Sequence, residues 1–145
     1  MVEEAEVSPA VVALCVKIDA AQVVFQEMMN QAREGVVPTR AEFEAHCTPL
    51  LEMRDDILHL PQFAEWGPEA ALVWRPPPVR SDHGPYDLAD VFRRIVITLT
   101  NLREDVVKVG LQLSRMHPIV VEHQEHLFSL YRTGQFFYER AALPE

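Results

Sequence analysis

Between Pro9 and Gly35, apolar side chains recur every three or four positions: Val11, Leu14, Ile18, Ala21, Phe25, Met28 and Ala32. A repeat averaging about 3.5 residues is the seam of a helix packed left-handedly on another helix. Ser8 offers a capping oxygen, Pro9 fits the first helical position, and Gly35 with Pro38 beyond it stops the run. Val12, Cys15, Val16, Val23, Val24 and Met29 widen the apolar arc, which calls for neighbours on more than one side. A second helix opens with the capping box Thr39-x-x-Glu42 and carries Phe43, Cys47, Leu50, Leu51, Ile57 and Leu58 on its apolar face before Pro61. Pro49 inside it removes a backbone donor, so the pattern predicts a kink or a break there.

From Gln62 to Tyr86 the character of the chain changes. Phe63, Trp66, Leu72 and Trp74 predict a short helical piece; Arg75-Pro76-Pro77-Pro78 imposes an extended run, and Ser81 to Pro85 is turn chemistry. Such a long, stiff link suits a crossover between distant ends of a bundle, or a surface for a partner. Asp87 then caps a third helix whose stripe is Leu88, Phe92, Ile95, Leu99, Leu102, Val106, Val109 and Leu113. The same phase continues through Met116, Val120, His123, Leu127 and Leu130, across His117-Pro118. Preserved phase predicts one long helix kinked near Pro118, or two nearly coaxial ones. Phe136, Phe137 and Tyr138 follow Thr133-Gly134 and, with Leu127 and Leu130, form a candidate interaction surface.

The expected fold is therefore all-α: a bundle of about four main helices in one domain over residues 1–145, with a flexible 1–7 and a proline-rich loop over 75–86. A chain of 145 residues can bury a core without covalent staples. Cys15 and Cys47 lie in apolar helical patterns and, for a hairpin folding near Val36, at levels roughly 16 Å apart. They are expected to be buried thiols in a reducing cytoplasm. The N-terminus has no signal-peptide pattern, and no uninterrupted apolar stretch approaches the roughly 20 residues that span a bilayer.

Charge narrows the partners. With 22 acids against 13 lysines and arginines, the formal charge of −9 repels nucleic-acid phosphates and anionic lipid. A protein partner, either a different protein or a second copy of the chain, is the expectation that remains.

The densest chemistry is His117, His123 and His126 with Glu122 and Glu125 interleaved; Glu122 and His126 are four apart and can share a helix side, as transition-metal ligands require. The string His117-Pro118-Ile119-Val120-Val121-Glu122-His123 resembles the opening of a hemerythrin-type helix. That resemblance implies iron binding; the residue cluster itself offers His117, Glu122, His123 and His126 as candidate metal ligands. It covers about ten residues, and the chain ends before the later His-x-x-x-Glu and His-x-x-x-His helices such a bundle uses. Glu42 with His46, and Asp55 with His59, read as exposed ion pairs one turn apart. The carboxylate pattern of all-helical nucleotide pyrophosphatases is not met: Asp87-x-x-Asp90 and Glu65-x3-Glu69 are its nearest approaches. No phosphate-binding glycine loop or serine elbow occurs, and His46, being adjacent to Cys47, points about 100° away from that thiol.

The leading expectation is a non-enzymatic interaction or assembly protein, a homo-oligomeric bundle or adaptor, with no cofactor. The alternative is a metal- or cofactor-binding bundle using the C-terminal His/Glu cluster. A third is an acidic immunity protein or antitoxin directed at a basic toxin.

Overall fold

The computed structural model describes residues 9–58, 87–110 and 117–140. They form four helices and no strand: α1 (Pro9–Arg33), α2 (Arg40–Leu58), α3 (Leu88–Gly110) and α4 (His117–Arg140). The expectations for residues 1–8 and 59–86, including the Ser8 cap and the 75–86 loop, lie outside the described residues.

Local chemistry sets the helix ends. At the end of α1, Gly35 adopts φ +89°. Val36 N donates to Gln31 O at 2.8 Å and Gly35 N to Ala32 O at 3.1 Å, the paired bonds of a Schellman stop. At the start of α2, Thr39 N donates to Glu42 Oε1 at 2.9 Å, and Glu42 N donates to Thr39 Oγ1 at 3.1 Å. The capping box therefore forms as its spacing predicts. Asp87 caps α3 by accepting from Asp90 N at 2.8 Å.

One alternative falls and one expectation changes. First, of the kink or break expected at Pro49, the break does not occur: α2 runs continuously through that residue. Pro49 leaves the Ala45 carbonyl without its helical donor, but Ala45 is exposed, so water can take that acceptor. Second, α3 and α4 are neither one kinked helix nor coaxial. His123 Nε2 lies 2.7 Å from Asp105 Oδ2, 18 residues earlier, whereas a continuous helix would hold those levels about 27 Å apart. The chain therefore reverses between them. Pro118 falls in the first turn of α4, where the missing N–H has no helical partner to lose.

Cross-helix bonds give the arrangement. Lys17 on α1 pairs with Asp56 on α2 at 2.6 Å. Asp19 meets Arg103, and Gln22 meets Thr100, both at 2.7 Å, so α3 runs antiparallel to α1. Arg40 reaches Glu139, and Glu44 accepts from Gln135, so α4 runs antiparallel to α2. Each neighbouring pair is thus antiparallel, while α2 and α3 lie diagonally opposite and point the same way. The end of α2 and the start of α3 sit at opposite ends of the bundle. Here the interior is Ile18, Phe25, Phe43, Leu50, Met53, Phe92, Ile95, Leu99 and Leu127, each fully enclosed.

Candidate functional site

Among the described residues, an acid–imidazole pair set close to the interior joins α3 to α4. On α3 the core positions Leu102 and Val106 bracket Asp105, which is 9% exposed. On α4 His123 lies between core residues Val120 and Leu127, and its ring donates to the Asp105 carboxylate at 2.7 Å. One turn on, His126 reaches solvent on one side. Desolvation by surrounding atoms lowers its pKa, and the nearby Arg94 cation and His123 lower it further. Arg94 Nε is itself held by Asp90 Oδ2 at 3.1 Å.

A carboxylate behind an imidazole is the support that a general base or a metal-bound histidine uses. Either role needs further groups converging on the ring. Among the described residues, no three or more His, Cys, Asp or Glu side chains gather where they could hold a metal ion. Glu122 is exposed on the outer side of α4, and the His117 side chain lies outside the described residues. What the Asp105–His123 pair visibly does is fasten the α3–α4 hairpin.

The candidate interaction residues are distributed differently from a docking patch. Leu127 (0% exposed), Leu130 (3%) and Tyr138 (3%) belong to the chain's own core. Phe136 and Phe137 are half-buried, with Arg140 over the Phe136 ring at 5.2 Å. The helix continues through Thr133-Gly134 to Arg140, so these aromatics pack along α4 rather than trail from its end. Tyr138 Oη donates to Pro38 O at 2.6 Å, tying the α4 C-terminus to the α1–α2 turn; burial raises the phenol pKa.

Both cysteines are free and buried. Burial pushes the Cys47 thiol well up, away from its nucleophilic form. Cys15 is also raised, by burial first, against an opposing contribution from Arg103. His46 and Glu42 are both exposed, with the Glu42 carboxylate taken up by Thr39 N in the capping box, and His59 lies outside the described residues.

Sequence patterning missed three features. Asp105 is an acid within an apolar stretch, seven residues after the buried Thr98, and that spacing was its signal. Gln124 is 1% exposed and donates its amide to Leu50 O, while its Oε1 has no partner among the described residues. Val12, Val16 and Val23, which the width of the apolar arc suggested should be covered, face solvent instead. By length and composition α1 also passes as a membrane-crossing helix, yet Val11, Leu14, Ile18 and Phe25 on it build the bundle core. No family model, curated protein or solved structure matches this chain.

Proposed function

We propose that the chain is a non-enzymatic protein–protein interaction or assembly protein, a homo-oligomeric helical bundle or adaptor acting in the cytoplasm. The observation that carries this reading is a row of aliphatic side chains turned to water on a bundle whose interior is already filled. Val12, Val16 and Val23 on α1 are 49%, 61% and 68% exposed, and Ile97 on α3 is 47% exposed. Scattered single apolar residues need no explanation, but a repeated outward row on one helix is what a protein-contact face presents. The −9 charge disfavours nucleic acid and anionic lipid as the contacting surface.

Light scattering coupled to size exclusion tests the reading. An assembly protein of this kind gives a mass above the 16.6 kDa of one chain at micromolar concentration. A strict monomer throughout that range overturns the homo-oligomer.

A further inference from the structure

We propose that His123 and Gln124, adjacent on α4, act as an orientation key: together they select which face of α4 turns inward, and they do so at the expense of stability. At about 100° per residue, Leu130, Leu127, Tyr131, Phe128 and Phe136 follow one another around roughly 240° of the helix. Apolar burial is non-directional, so an arc this wide fits the core in more than one rotation. The observed rotation encloses Leu127 and Leu130 and leaves Phe128 and Phe136 half-buried. A turn by one residue's angle would enclose the two phenylalanines and release Leu130 instead.

Polar groups at the interior break that tie. The buried polar side chains among the described residues are Thr98, Asp105, Gln124 and Thr133. Thr98 Oγ1 donates to Arg94 O at 2.7 Å and Thr133 Oγ1 to Ser129 O at 2.9 Å, each within its own helix, so neither senses how the helices face one another. The other two cross between helices. His123 Nε2 meets Asp105 Oδ2 on α3, and Gln124 Nε2 donates to Leu50 O on α2. Carbonyls repeat along α2, but Asp105 stands at a single level. His123 therefore fixes the height of α4, and the two bonds, about 100° apart around the helix, fix its rotation.

The residues on either side make the wrong rotations unfavourable. Turned one way, Glu125 would take the place of Gln124 against the Leu50 carbonyl; turned the other, Glu122 would take the place of His123 against Asp105. Both put acceptor against acceptor in a poorly solvated seam. In the observed rotation Glu122 is exposed and Glu125 half-buried. The key itself adds no stability. Gln124 is 1% exposed, and its Oε1 has no partner among the described residues. The Asp105 and His123 side chains, 12% and 20% exposed, give up most of their hydration to meet. Buried groups of this kind can be replaced by apolar ones of similar size without loss of stability; what they supply here is a single arrangement.

The test compares the wild-type full chain with three variants by thermal unfolding and by amide and aromatic NMR spectra. One erases the key and its flanking acids (Asp105→Leu/Glu122→Gln/His123→Leu/Gln124→Leu/Glu125→Gln). One changes only the acids (Glu122→Gln/Glu125→Gln), and the third, Thr98→Val, removes a buried hydroxyl bonded within α3. The erased variant is expected to keep its helicity and a thermal midpoint no more than about 4 °C below wild type. Its α4 amide peaks double or broaden, and the contact between the Phe43 ring and Gly134 weakens. The other two variants keep one peak per residue and that contact. A single sharp set of α4 peaks in the erased variant overturns the proposal, because packing alone then selects the face. A midpoint lowered further overturns it too, making the two bonds ordinary stabilising contacts, and so does equal broadening in either of the other variants. If the erased variant does not fold, Gln124→Leu decides: a midpoint at or above wild type sustains the key, and a lower one overturns it.

Discussion

Phe43 sits where three helices meet. Its ring centroid is 6.0 Å from Phe92, 6.0 Å from Tyr131 and 5.6 Å from Tyr138. It packs against Gly134, where an added Cβ would come within 2.3 Å of the ring. Glycine inside a helix costs about 1 kcal/mol relative to alanine, so by propensity alone Gly134→Ala should stabilise α4. The overlap outweighs that gain, and urea unfolding is expected to give a net loss of about 1–3 kcal/mol. Unchanged or increased stability would mean that the ring moves aside freely. His126 carries a second residue-scale prediction. Its folded pKa lies below the ordinary 6.5, so the unfolded chain binds the proton more readily. Stability from this group is complete above that value and declines as pH falls through it toward the lower folded pKa. The denaturation midpoint should therefore drop between about pH 7.5 and pH 5, and His126→Gln should flatten part of that slope. Identical slopes in the two proteins would contradict it. At this scale the Thr39–Glu42 box and the Asp87 cap were legible, because both are built within four consecutive residues. The role of Gly134 was not: its neighbour Phe43 is 91 positions away, and glycine after threonine has the look of a stop.

Among the elements, periodicity identified the helices but not their mutual directions. One stripe continued in phase from Leu88 to Leu130, which suggested coaxial rods. Two antiparallel helices that each bury a 3-4 stripe can preserve that phase as well, because a helix's apolar face records only that it has a neighbour. The Asp105–His123 contact decides between the two. Spin labels at the exposed Glu104 and Glu122 should report a separation well under the roughly 27 Å of a continuous helix. A distance at or above that length would restore the coaxial arrangement. Pro49 illustrates the same limit from the other side. Its local effect, one lost donor, was readable, but whether the helix breaks depends on packing. Phe43, Cys47 and Leu50 before or beside the proline and Met53 and Ile57 after it are all buried, and that shared face holds α2 straight enough to continue.

For the molecule as a whole, α2 and α3 lie diagonally opposite and point the same way, so this bundle is not the up-down-up-down arrangement that short loops alone can join. The described interior is closed by aliphatic and aromatic side chains, with Glu42 and Asp87 engaged in helix caps and Asp105 joined to His123 between α3 and α4. Of the His/Glu cluster, His123 bonds to Asp105 on α3 and Glu122 is exposed, while the His117 side chain lies outside the described residues. Helical class, capping, buried thiols and an acidic surface were determined by the sequence itself, since each depends on residues within a turn or two or on composition. Which helix lies beside which, where the α3–α4 reversal pairs Asp105 with His123, and which valines of α1 stay in water were decided only by the tertiary structure. A broadly apolar helix has more hydrophobic sides than a four-helix bundle has neighbours to cover, and only packing selects the side left exposed.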